Sequence, residues 1–328
     1  MSESITNKDN AAPANCSFSP SRPATSVGRR SYAGGITLFC NGLSFEHGHG
    51  IDATMIFDRY IGIDYSGAEV PIASLKGLRI YESDRLTLPR EVAPPPSSRW
   101  YWTRREIAEW LVAELSSGPP SIVGIDHGFS FPLRYFQKHG LPLDWPLFLD
   151  DFQKHWPTDD KCTYVDFVRD GIRGNGAARS GDSHWRRLTE LHARTAKSVF
   201  HFNVPGSVAK STHAGLPWLR YLRQHLGSRA HFWPFDGWQV PPNTSVIAEV
   251  YPALWNKSFP SEGRTPDQQD AFAIAEWLRR TDTAGTLPEF LCPVLPPAER
   301  RIAEIEGWIL GIAPASPWTK LKASTGIQ

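Results

Sequence analysis

An α/β fold on a mixed five-stranded sheet is predicted by three observations. First, two short apolar runs, RYIGIDYSG at 59–67 and SIVGIDHG at 121–128, read as buried strands that each deliver a carboxylate, Asp64 and Asp126, to their carboxyl end. Second, a helical pattern separates them. A strand, helix and strand at this spacing form a right-handed crossover, which places the second strand parallel to its sheet neighbour. Third, a further run, SVIAEVYP at 245–252, carries Glu249 and leads to TPDQQDAFAIAEWLRR, a helix start that holds Asp267 and Asp270.

Residues 1–54 are rich in Ala, Ser, Asn, Pro and Gly and lack hydrophobic periodicity, so they read as a disordered tail. Met55 stands just before the first strand and is an alternative start to Met1. No charged n-region followed by an apolar h-region occurs, so the tail is not a secretory signal. The folded domain is expected over 55–313, with a flexible tail at 314–328. Its first part reads as an antiparallel meander of strands at 56–65, 70–75 and 77–82, with Lys76-Gly77 as a tight turn. A Pro-rich loop covers 83–98.

Thr103 and Glu106 form a capping box, Ile107, Trp110, Leu111 and Leu115 share one face, and Gly118-Pro119 stops that helix. After the Asp126 strand, 129–244 is too long for a loop and reads as an insertion, mainly helical and irregular, with its own small core. Helices are expected within it at 185–200 and 216–226. Thr265 as N-cap, Pro266 at the first helical position and Gln268 three residues after the cap specify the next helix start. A last helix is expected at 297–310.

Composition narrows the function classes. The 328 residues carry a net charge of +1, which gives no global argument for nucleic acid. No window approaches the length of an apolar membrane span, so a cytoplasmic protein without membrane association is expected. The four cysteines are far apart with no CxxC pair, which suggests reduced thiols. The eleven histidines show no HExxH or HxxxH spacing, and no GxSxG elbow is present. PGSVAKST at 205–212 fails as a P-loop, because Val204 and Ala209 occupy the two required glycine positions. Local charge says more: eleven Lys/Arg face five acids between Asp166 and Asp236. Arg169, Arg173, Arg179, Arg186, Arg187 and Arg194 are candidate phosphate contacts, although a solvated basic face accounts for them equally well.

The acids point to a metal. Asp270 aligns with Ile274 and Trp277 at helical spacing, so it opens the apolar stripe and points toward the sheet. Asp64, Asp126, Glu249 and Asp270 then meet at one edge, where close carboxylates need protonation or a cation. Oxygen-only ligands favour Mg²⁺ or Mn²⁺, which activate water for phosphoryl displacement. Asp267 also has a purely structural reason to stand at a helix start, since the helix dipole favours an acid there.

The meander, helix, fourth strand, fifth strand and closing helix resemble the ribonuclease H-like plan. The DxxD pair opening the closing helix is similar to that of the Holliday-junction resolvase branch. More closely, IGIDYSG, VGIDHGFSFP, GLPWLRYLR, AEVYPALW and DQQDAFAIAEWL resemble the predicted ribonuclease H-like nucleases grouped as domain of unknown function 429, over residues 60–278. The resemblance implies a ribonuclease H-like fold, with Asp64, Asp126, Glu249 and Asp270 as the acidic site and Asp267 as a further ligand. The function expected is a metal-dependent phosphodiester hydrolase acting on nucleic acid. The large insertion departs from the family plan. Two alternatives use the same elements: an ATP-binding phosphotransferase of the actin-like fold, which also opens with a GIDxG strand, and a non-catalytic binding module.

Overall fold

The computed structural model describes residues 56–96 and 99–312. The expected tails at 1–54 and 314–328, together with Met55, lie outside the described residues. Contacts divide the chain into two units, and every described residue belongs to the second, Ile36–Gln328. Strands β1 (Arg59–Asp64), β2 (Arg79–Asp84) and β3 (Arg90–Glu91) precede helix α1 (Arg104–Ser117) and strand β4 (Ser121–Asp126). Helices α2 (Leu133–His139), α3 (Trp145–His155), α4 (Val165–Arg169), α5 (Leu188–His192) and α6 (Ala209–Leu226) follow. Then come β5 (Ala230–Trp233), β6 (Ser245–Glu249), α7 (Pro266–Thr283), α8 (Leu287–Leu291) and α9 (Pro297–Glu306).

The sheet has six strands in the order β3-β2-β1-β4-β6-β5. β2 is antiparallel to β1 and β3, whereas β4 is parallel to β1 and β6, and β5 parallel to β6. This is a mixed α/β sheet with one strand more than expected, because β5 forms inside the insertion and extends the edge. The meander also differs in membership. Residues 70–75 are not a strand, and β2 is the run expected as the third strand. The hydrogen bonds of 70–75 go elsewhere: the Leu75 N–H donates to the Trp102 oxygen, the Ser74 hydroxyl to the Tyr101 oxygen and the Arg105 N–H to the Pro71 oxygen, while the buried Arg104 guanidinium takes the backbone oxygens of Ser66, Ala68 and Glu69 just before the segment. β3 lies instead in the Pro-rich stretch, where Glu91 pairs with Tyr81.

Each strand alternates between two cores. Ile61, Ile63, Val123, Ile125 and Ile247 face one core, shared with α1, α3 and α6. Tyr60, Ile122, Val246 and Ala248 face the other, shared with α7. Phe131, Phe148, Phe152 and Trp156 of the insertion belong to the first core, so the insertion does not form a separate one.

Local signals explain the helices. Both capping boxes form, Thr103 with Glu106 and Thr265 with Gln268. α6 starts at Ala209, earlier than expected, and runs through Pro217. Proline cannot bond back to His213, and the freed His213 carbonyl accepts from the Thr158 hydroxyl at 2.7 Å. Of the helix expected at 185–200 only α5 forms, since Arg194 is left-handed (φ 59°) and Arg186 gathers the backbone oxygens of Glu190 and Ala196. α9 stops at Glu306; the chain then turns, and Leu310 bridges to Val250 beside β6. Cys162 and Cys292, expected as reduced thiols, are each disulfide-bonded. No helix among the described residues is long and apolar enough to cross a membrane.

Candidate metal centre

Strand parity places the first two carboxylates. Asp64 and Asp126 are partners in the parallel β1–β4 register, two residues after the paired glycines Gly62 and Gly124. All four positions face α7. A Cβ on Gly62 would stand 2.2 Å from the Ala271 backbone oxygen, and one on Gly124 2.6 Å from the Ile274 side chain. The missing side chains therefore let α7 lie directly on the sheet, and its first turns bring Asp270 over the strand ends. Carboxylate oxygens of Asp64, Asp126 and Asp270 come within 4.8 Å of one another.

The electrostatics follow from that crowding. Burial, then the charges of Asp126, Asp267 and Asp270, pushes the Asp64 carboxyl well above the ordinary carboxylate range. Burial, then Asp270 and Glu249, does the same for Asp126. Burial also raises Asp270, a hydrogen bond from Asn256 Nδ2 to its Oδ1 (2.7 Å) pulls it back, and Asp267 raises it again. Asp126 Oδ1 is buried and accepts no hydrogen bond. Three oxygen donors, mutual repulsion and an unpartnered buried oxygen fit a hard divalent cation.

The other two expected acids sit differently. Asp267 is in the first turn of α7, near enough to act on Asp64 and Asp270 through its charge, but outside the triad. Glu249 pairs in register with Ile125, not Asp126, and so projects from the opposite face of the sheet. There Arg187 grips both of its oxygens, at 2.5 and 2.7 Å, and the Phe129 N–H donates to it at 2.9 Å. Arg187 also binds Glu190. A small cavity lined by Asp126, His127, Arg187, Glu249 and Tyr251 adjoins this network. Burial pushes the His127 imidazole down to about 4, so the ring is neutral at physiological pH.

Comparison adds no relative. No family model, curated protein or solved structure matches the chain. The chemistry of the site is therefore read from its own geometry.

The six candidate phosphate-contacting arginines have unequal placements. Arg187 is buried against Glu249 and Glu190. Arg169 is paired with Asp166 and Asp170, Arg179 with Asp151, and Arg186 is spent on backbone oxygens. Arg173 and Arg194 are exposed. Two residues that the sequence reading passed over matter more. Asn256 touches Asp270, and Arg104 fixes the loop that follows Asp64. Arg104 opens a capped helix and Asn256 follows a strand, but neither stands in a motif that would have marked it.

Proposed function

We propose that this protein is a metal-dependent phosphodiester hydrolase of the ribonuclease H-like type, with Mg²⁺ or Mn²⁺ held by Asp64, Asp126 and Asp270. The observation that carries the reading is the approach of these three carboxylates to within 4.8 Å, from two adjacent strand ends and one helix. The element order supports it too. An antiparallel meander, a helix, a parallel strand, a later parallel strand and a helix carrying the third acid match what the resemblance implies.

A bound divalent cation supplies Lewis acidity and makes a coordinated water nucleophilic near neutral pH. The chain's own part is to hold the carboxylates. In-register pairing of β1 and β4 fixes the spacing of Asp64 and Asp126, and the two glycines set the height of α7. Asn256 Nδ2 donates to Asp270 Oδ1 at 2.7 Å. Asp267 adds negative charge beside Asp64 and Asp270, which favours a second positive group near the site. Nucleic acid is the substrate class to which the reading commits, with exposed Arg173 and Arg194 as candidate backbone contacts.

The test is calorimetric titration of Mn²⁺ into the full chain, followed by incubation with DNA and RNA, single- and double-stranded. Binding in the wild type, abolished in Asp64→Asn and Asp126→Asn together with metal-dependent cleavage, is the expected outcome. Wild-type binding without cleavage of any nucleic acid would overturn the substrate class. No binding, with or without nucleic acid, would overturn the metal site.

A further inference from the structure

We propose that the side-chain amide of Asn256 is a fourth oxygen ligand of the cation site, an inference that rests on reading Asp64, Asp126 and Asp270 as that site. Asn256 Nδ2 donates to Asp270 Oδ1 at 2.7 Å, so the amide lies against one of the three carboxylates. Its own oxygen is one amide width away from that contact. This oxygen is buried and has no hydrogen-bond partner, and the same holds for Asp126 Oδ1.

A buried acceptor left without a donor is costly, and native proteins mostly avoid it. Here two such oxygens arise on residues from different elements, β4 and the loop after β6, that both border Asp270. While Asp126 is ionised neither oxygen can donate, so the two cannot satisfy each other. A positive charge satisfies both. Hard divalent cations accept amide carbonyl oxygens alongside carboxylates, so the ligand chemistry is consistent.

The loop that carries Asn256 is held for such a role. Gln269, the residue before Asp270 on α7, donates through Nε2 to the backbone oxygens of Asn256 (3.1 Å) and Phe259 (3.0 Å). Arg264 Nε in turn donates to Gln269 Oε1 at 2.9 Å. On the other side Trp255 stacks on Trp277 of α7, with ring centroids 4.3 Å apart. Helix α7 therefore presents Asp270 and also clamps the loop that supplies the neighbouring amide. Glu249, the fourth ligand expected from the sequence, has both oxygens engaged by Arg187.

The experiment is calorimetric Mn²⁺ titration of the full chain as wild type, Asn256→Ala and Asn256→Asp, with thermal melts in chelator to establish that each variant folds. Asn256→Ala is expected to weaken Mn²⁺ binding by about tenfold to a hundredfold. Asn256→Asp keeps an oxygen at the position but cannot donate to Asp270, and it is expected to bind at least as tightly as wild type. Unchanged affinity in Asn256→Ala overturns the ligand role. So does an Asn256→Asp chain that binds more weakly than wild type, because Asn256 then acts only by holding Asp270. If the Ala variant does not fold, the Asp comparison decides alone. Silence in the wild type overturns the metal reading itself, a result distinct from wild-type binding that the Ala variant leaves intact.

Discussion

Asp126 shows how far a single side chain is compromised by its place in the fold. Burial and the neighbouring carboxylates raise its folded-state pKa above the ordinary range, so the folded chain binds this proton more tightly than the unfolded chain does. The resulting stability is full at pH below the ordinary carboxylate range and is lost as pH rises through the elevated folded value. Asp126→Asn removes the titration. In chelator at neutral pH the variant should be more stable than wild type, and the gap should close on acidification. Adding Mn²⁺ should reverse the order, since only the wild type gains stability from binding the ion. Thermal melts from pH 4 to 8, with chelator and with Mn²⁺, check both signs; a variant less stable than wild type in chelator would contradict the argument. The positions of Asp64 and Asp126 were legible because GID repeats with the same parity. Glu249 was not, because its face depends on the offset that sets it opposite Ile125, and one residue of register reverses a side chain. Asn256 opens a single 3-10 turn, Asn256–Ser258, too short to carry a periodicity in the sequence.

At the scale of the element, the site depends on how closely α7 can approach the sheet. Gly62 is the tightest point, with the Ala271 backbone oxygen only 2.2 Å from where a Cβ would stand. That neighbour is main chain in the middle of a helix, so it cannot swing aside as a flexible side chain would. Gly62→Ala should therefore lift α7 and cost about 1–3 kcal/mol, the usual range for overpacking. Because Asp270 rides on the same helix, Mn²⁺ affinity should fall as well, although no ligand is altered. Urea denaturation and calorimetry on the one variant test the two halves, and a destabilised chain with wild-type metal affinity would break the link between them. The helix itself was legible from Thr265, Pro266 and Gln268, since caps are local chemistry. Residues 70–75 were misread as a strand because they hydrogen-bond to residues 101–105, some thirty positions on, and not to a neighbouring strand. Early α6 was missed for a related reason: its apolar stripe is clear only from Leu216 onward, and the carbonyl freed by Pro217 is satisfied by distant Thr158.

For the whole molecule, the question is whether the long excursion between β4 and β6 is an appendage or part of the fold. Length and composition suggested a small core of its own. The packing argues otherwise: Phe131, Phe148, Phe152 and Leu219 from the excursion share one apolar cluster with Ile61, Ile63, Val123 and Ile125 of the sheet. Arg187 adds a buried ionic tie from the excursion to Glu249 at the end of β6. Glu306, at the end of α9, accepts the backbone N–H groups of Leu133 and Leu188. Removing one partner of a buried pair typically costs about 3–5 kcal/mol, so neither part tolerates separation from the other. Without residues 129–244, the sheet with α1 and α7 would expose the apolar face now covered by α3 and α6. Residues 129–244 alone would expose the aromatic side chains that meet it. The two should therefore unfold together. In urea, tryptophan fluorescence, to which Trp145, Trp156, Trp185, Trp218, Trp233 and Trp238 of the excursion contribute, and far-ultraviolet circular dichroism should trace coincident transitions. A chain lacking 129–244 should fail to show a cooperative transition at all. Separated midpoints, or a folded truncated sheet, would mean that the excursion is a domain in its own right and that the site can be assembled without it.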